Sequence, residues 1–210
     1  GVETIAEEVA AYREAHSTAL ALTVSTVDIN DETIVDPAPL AWEDLSTEAK
    51  ALLGTEHTLL DDLTAQITAV AAINAASSET MGDSISTYAT TLGLTLTDYT
   101  ALSDKDPVHT ALVSPVFTNK AEVKTAFDIA VAAQKAAEAL VAEIAAFRST
   151  HSVALALAVE TVDINDDTIV NAAHTAWGEL SDGAQAELGT EHTLLDSLID
   201  QITAVQAVNA

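Results

Sequence analysis

The residues best suited to chemistry stand in an acidic decapeptide that occurs twice, TVDINDETIV at 26–35 and TVDINDDTIV at 161–170. Asp28, Asn30 and Glu32 in the first copy, and Asp163, Asn165 and Asp167 in the second, set side-chain oxygens at alternate positions. A calcium loop of the helix–loop–helix type opens in this way, but it also needs Gly at its sixth position and a bidentate Glu at its twelfth. Counted from Asp28 these are Thr33 and Pro39; counted from Asp163 they are Thr168 and His174. Both requirements fail in both copies. The competing reading is a joint, in which Val27 and Ile29 (Val162 and Ile164) tuck under the bundle while Asp28, Asn30 and Asp31 satisfy exposed amides and cap the next helix. We take the joint as the working reading and expect no dedicated metal or cofactor, the six residues remaining candidates for a diffuse cation.

Other chemistry-bearing residues fall into pairs. His57 and Asp61, like His192 and Asp196, stand four apart and share a helix face. Two zinc ligands could be so spaced, yet no HExxH sequence and no third ligand at a recognisable position accompanies them, so a surface hydrogen-bonded pair is expected. His16 and His151 lie on apolar stripes and read as core histidines, and Trp42 and Trp177, each three before an inward Leu, read as core packing. No G-x-S-x-G elbow and no phosphate loop occurs. No catalytic residue can be named, and the expectation is that the chain is not an enzyme.

These residues sit in a repeat. Shifting the 210-residue chain on itself aligns 11–75 with 146–210, and about two-thirds of the pairs are identical. The order is module, insert, module, with expected boundaries at 1–75, 76–134 and 135–210, as in a piece of a longer alternating array. The chain is 49% hydrophobic but only 4% aromatic, with 7 Gly and 4 Pro, a composition that favours helices and can bury a core.

In the first module Ile5, Val9, Tyr12, His16 and Leu20 form one helical stripe, repeated by Leu140, Ile144, Phe147, His151 and Leu155. The first helix should stop near Val24, and a second should carry Ile34, Ala41, Trp42 and Leu45 inward. Ser46 should cap a short piece ended by Gly54, and Thr55 should cap a third helix carrying Leu59, Leu63, Ile67 and Val70. In the insert, Ser78 should cap a helix ended by Gly93, and Thr118 the last one. From Asn119 to about Val159 nothing breaks the pattern, which predicts one helix of roughly 60 Å running into the second module. The expected fold is all-α: two three-helix bundle repeats separated by a small helical insert, rod-like and joined by that long helix.

The stretches AWEDLSTEAKALLGTEHTLLDDL and AWGELSDGAQAELGTEHTLLDSL resemble helical repeats of very large cell-wall and S-layer-associated surface proteins of Gram-positive bacteria. There an aromatic, a Leu-Ser pair and an Ala-Lys-x-Leu segment recur in this order. The insert is similar to a second helical module of such proteins, through its Met, Leu-Gly-Leu, Tyr-x-x-Leu-Ser and Phe-x-x-Lys positions. The resemblance implies an extracellular, cell-surface spacer, lattice or adhesive-fibre segment of a longer secreted protein. Its partners would be neighbouring repeats or copies of itself. The alternative is a binding module that recognises a protein or glycan through non-repeated insert surface such as Asp104 to His109.

With 33 acidic against 7 basic residues the net charge is −26, which repels nucleic acid and anionic membranes and gathers diffuse cations. No cysteine is present, which excludes disulfides and thiolate chemistry. No apolar run reaches the roughly 18 to 20 residues of a membrane span. Self-repulsion at this charge should be relieved by screening over about 10 Å at 0.1 M salt. The melting temperature should therefore rise from low to near-molar sodium chloride, with calcium adding little beyond its ionic strength. A tight, stoichiometric calcium site in each copy, seen by calorimetric titration, would reinstate the metal loop.

Overall fold

The computed structural model describes residues 4–209; Gly1–Glu3 and Ala210, which the expected end modules include, lie outside the described residues. Among the described residues every regular element is helical and no strand forms. The chain divides into two compact units, 1–134 and 135–210.

Unit 1 begins with α1 (Ile5–Ala15), whose Thr4 and Glu7 cap each other's backbone amides reciprocally. It continues through α2 (Ser17–Leu20), α3 (Glu32–Val35), α4 (Pro37–Glu43), α5 (Thr47–Leu52) and the long α6 (Gly54–Ala75). Val9, Tyr12, Ala38, Trp42, Leu53 and Leu60 form one core cluster; Val27, Val35, Leu63 and Ile67 form the next along α6. The Tyr12 hydroxyl reaches the Ala38 carbonyl at 3.0 Å, so the polar end of a buried ring is satisfied.

The insert supplies α7 (Ser78–Leu92), α8 (Leu96–Ala101) and α9 (Asp106–Val113), closed by the first half of α10 (Lys120–Thr150). Its core gathers Met81, Ile85, Tyr99, Val108, Leu112, Val123 and Phe127, together with Ala69, Val70 and Ile73 from α6. Gly93 ends α7 at φ 67, the left-handed conformation that costs a residue with a Cβ about 1 kcal/mol or more.

Unit 2 repeats the bundle with the second half of α10, then α11 (Ser152–Leu155), α12 (Asp167–Gly178), α13 (Asp182–Glu187) and α14 (Gly189–Asn209). Phe147, Ala154, Val162, Val170, Ala173, Leu188, Leu195, Leu198 and Ile202 make its core.

Several expectations need correction. The long helix stops at Thr150, not Val159, and so spans roughly 46 Å at 1.5 Å per residue. His151 leaves helical geometry at φ −105, ψ 19, as His16 does at φ −109, ψ 18. The turn redirects the chain so that Ala154, or Ala19, enters the core, and no Pro or Gly announces it. Ile34 and its counterpart Ile169 are exposed, while the next residues, Val35 and Val170, are fully buried. Val35, Ala38 and Trp42 share the inward face, and Ile34 lies one position, about 100°, off it.

Gly54 stands at the expected C′ position after the α5 C-cap Leu53, but without a positive φ, and it also begins α6, which Thr55 does not cap. The first insert helix is capped by Ser77, one residue before the expected Ser78. At the start of α10 the amides of Ala121 and Glu122 donate to the Asn119 side chain, while Thr118 donates to Glu122 instead of capping.

The inward phase can be tested directly. Val35→Ala should cost on the order of 2 kcal/mol, from two lost methyl groups and the space they leave. Ile34→Ala should stay within about 0.5 kcal/mol, as for an exposed position. Equal losses for the two variants in denaturant titrations would contradict the assigned face.

Candidate functional site

In both decapeptides two of the carboxylates accept from the loop's own backbone. Asp28 Oδ1 accepts from the Asn30 amide at 2.7 Å, and Asp31 Oδ2 accepts from the Asp28 amide at 3.0 Å. In the second copy the same pair of bonds joins Asp163 with Asn165 at 2.7 Å and Asp166 with Asp163 at 3.1 Å. Each pair closes a reciprocal cap on a single 3-10 turn, 29–31 or 164–166. Glu32 and Asp167 open the next α-helix, where the helix dipole favours a carboxylate; Asp167 also accepts from the Asn171 side chain at 3.0 Å. Neither copy brings three of its acidic residues into one ligand cluster.

The apolar half of the motif behaves differently in the two copies. Val27 and Val162 are both buried, 4% and 5% exposed. Ile29, however, packs against the insert core, and its amide donates to the Thr118 carbonyl at 2.9 Å. Its counterpart Ile164 is 45% exposed. The joint thus has an outward arm, engaged by the insert in unit 1 and open in unit 2.

The α6 helix carries the rest of that docking face. Asn74 grips the backbone of Phe117 with both ends of its amide, donating to the carbonyl at 2.8 Å and accepting from the N–H at 2.9 Å. Val70 and Ile73 are 2% and 1% exposed beneath the insert. Their counterparts on α14 are uncovered: Val205 is half-buried, Val208 is 86% exposed and Asn209 is exposed. Together with Gln201 and Ala204 these residues line a shallow groove.

The aromatic and histidine positions resolve into stacks. Trp42 lies on His57 with ring centroids 4.1 Å apart, and Trp177 on His192 at 3.6 Å. His16 and His151 are half-buried beside Tyr12 and Phe147 at the helix breaks and are not full core residues. His57 stands 3.5 Å from Asp61, and His192 3.6 Å from Asp196, as an i,i+4 pair should.

In unit 2, contrary to expectation, a third group joins the pair: His174 Nε2 lies 3.1 Å from Asp196 Oδ1. The signal lay in the α12 stripe, since His174 follows inward Ala173 and precedes Trp177 by three. Only the packing of α12 on α14 brings it to residues that lie 18 and 22 positions further along the chain.

One recurring polar tie carried no sequence signal. Glu8 accepts from both the amide and the hydroxyl of Ser46 at 2.6 Å. Glu143 holds Ser181 in the same way at 2.9 and 2.6 Å. In each case the serine hydroxyl also accepts from the third amide of the following short helix, so a glutamate on the first bundle helix orients the cap of another. These bonds, the hydroxyl donation first, hold both carboxyls below the ordinary glutamate value.

No family model, curated protein or solved structure matches this chain.

Because the folded-state values of Glu8 and Glu143 are depressed, their contribution is present above the unfolded value of about 4.3. It is lost as pH falls through the lower folded value. The double variant Glu8→Gln, Glu143→Gln should lose stability at pH 7 and show a flatter acid limb below about pH 4.5 in thermal melts. An acid limb as steep as that of the unmodified chain would remove these carboxyls from the account.

Proposed function

We propose that this chain is a non-catalytic structural segment of a large bacterial cell-surface protein, a spacer, lattice or adhesive-fibre piece built from alternating bundles and inserts. The observation that carries the proposal is the docking face. Ile29, Val70, Ile73 and Asn74 are occupied by the insert in unit 1, and the second copy presents Ile164, Val205, Val208 and Asn209 at the same repeat positions with no cover. A Val exposed at 86% beside an Asn of the type that grips the Phe117 backbone in unit 1 offers the same apolar and polar contacts to a docking segment.

An array explains both, because every bundle then receives the next insert on that face. The charge fits the same role: an outside with a net charge of −26 stays hydrated and resists collapse of neighbouring segments onto one another. Among the described residues no helix is long and apolar enough to cross a membrane. The polar ties already described join one bundle helix to the cap of another through side chains, which suits load-bearing.

The proposal is tested by extension. A chain in which a second copy of the segment 76–134, including the half of α10 that closes the insert core, follows Ala210 should fold that segment onto α14. Amides of Val205 and Val208 should then become protected from hydrogen exchange, and unit 2 should melt at a higher temperature than in the unextended chain. An added segment that stays unprotected, with exchange at Val205 and Val208 unchanged, would defeat the array reading.

A further inference from the structure

The cluster of His174, His192 and Asp196 belongs to neither the cores nor the docking face. One atom from each of the three residues, two imidazole nitrogens and a carboxylate oxygen, lie within 4.8 Å of one another. Among the described residues no other trio of His, Asp or Glu does so. The two oxygens of Asp196 are divided between the rings, Oδ1 at 3.1 Å from His174 Nε2 and Oδ2 at 3.6 Å from His192 Nδ1. Ligands bound to zinc at about 2.0 to 2.1 Å in a tetrahedron lie about 3.4 Å apart. The observed spacing therefore needs only small side-chain movement to close on an ion.

Several features prepare the trio. His192 and Asp196 are one helical turn apart on α14, so their separation is set by the helix itself. His174 comes from α12, held by buried Val170 and Ala173 against Leu195 and Leu198 of α14. Trp177 covers one face of the His192 ring, stacked within 18° of parallel, which restricts its rotation. The three side chains remain 28% to 51% exposed, so an ion can enter and can keep water as its further ligands. Two imidazoles and one carboxylate suit zinc and its transition-metal neighbours, whereas calcium and magnesium take oxygen-only sets. The surrounding negative charge raises the local cation concentration further.

The chain also contains its own control. The first copy keeps His57 and Asp61 at 3.5 Å and the stack on Trp42, but at the position of His174 it has Pro39. Two ligands remain there and the third is lacking. We propose that unit 2, and not unit 1, binds one divalent transition-metal ion, with zinc as the reference ion, through His174, His192 and Asp196.

Zinc titrated into the full chain at near-molar sodium chloride, where diffuse cation binding is screened, tests this by calorimetry. One saturable site per chain is expected, insensitive to excess calcium. His174→Gln should weaken it at least about 10-fold, the loss that even outer-shell partners of a metal cause. Pro39→His should raise the stoichiometry from one to two, by completing the trio on His57 and Asp61. Circular dichroism checks that both variants remain helical, and the gain at Pro39→His does not depend on the loss at His174→Gln. Absence of a saturable site in the unmodified chain, or a site that His174→Gln leaves intact, would overturn the assignment.

Discussion

The constraint on which unit 1 depends is that one helix, α6, must be buried by two different partners along its length. Its first four turns give Leu60, Leu63 and Ile67 to the bundle; its last turns give Ala69, Val70 and Ile73 to the insert. Each bundle cluster of unit 1 is small by itself. A cluster of four to eight buried side chains gains about 1.5 to 3 kcal/mol per large residue, which barely offsets the ordering of the short helices around it. Sharing α6 lets the bundle and the insert draw on one continuous element. The same economy recurs in α10, which gives Val123, Phe127 and Val131 to the insert core and Phe147 to the core of unit 2.

The repeated acidic decapeptide makes sense within that constraint. The chain must turn sharply between the first two bundle helices, and reciprocal capping by Asp28 and Asp31, or Asp163 and Asp166, satisfies the amides exposed by the turn. The turn then presents two apolar side chains in opposite directions, Val27 to the bundle and Ile29 to the insert. Asp28 and Asp31, and likewise Asp163 and Asp166, are in this way engaged by the backbone of their own loop. The trio proposed to take a metal ion lies elsewhere, in a histidine pair joined by a shared aspartate.

Much of the fold was legible because the deciding signals are local. The spacing of Val9 and Tyr12, the capping preference of Ser46 and the helix end at Gly93 are each read within about one helical turn. The failures share a cause too. Ile34 and Val35 are adjacent and equally apolar, so only the packing of α3 on α6 selects which is buried. The breaks at His16 and His151 contain no helix breaker and arise because Ala19 and Ala154 are needed in the cores. His174 is linked to His192 and Asp196 across a turn and the short α13, and no spacing rule reaches that far. Residues such as Ile29 and Asn74 are ordinary in sequence, and their role appears only where the insert lies on them.

The central claim is that the insert is received on a face built jointly by the acidic turn and the last turns of a bundle helix, a face that the second copy repeats without cover. Native-state hydrogen exchange on the full chain compares the two copies within one sample. Amides of Ile29, Val70, Ile73 and Asn74 should exchange only with cooperative opening of unit 1, while those of Val205, Val208 and Asn209 exchange with the near-zero protection of a fraying helix end. Leu63 and Leu198, fully buried in both copies, should be protected alike. Strong protection at Val205 and Val208 equal to that at Val70 and Ile73 would contradict the account, because the helix end would then be stable without an insert to cover it.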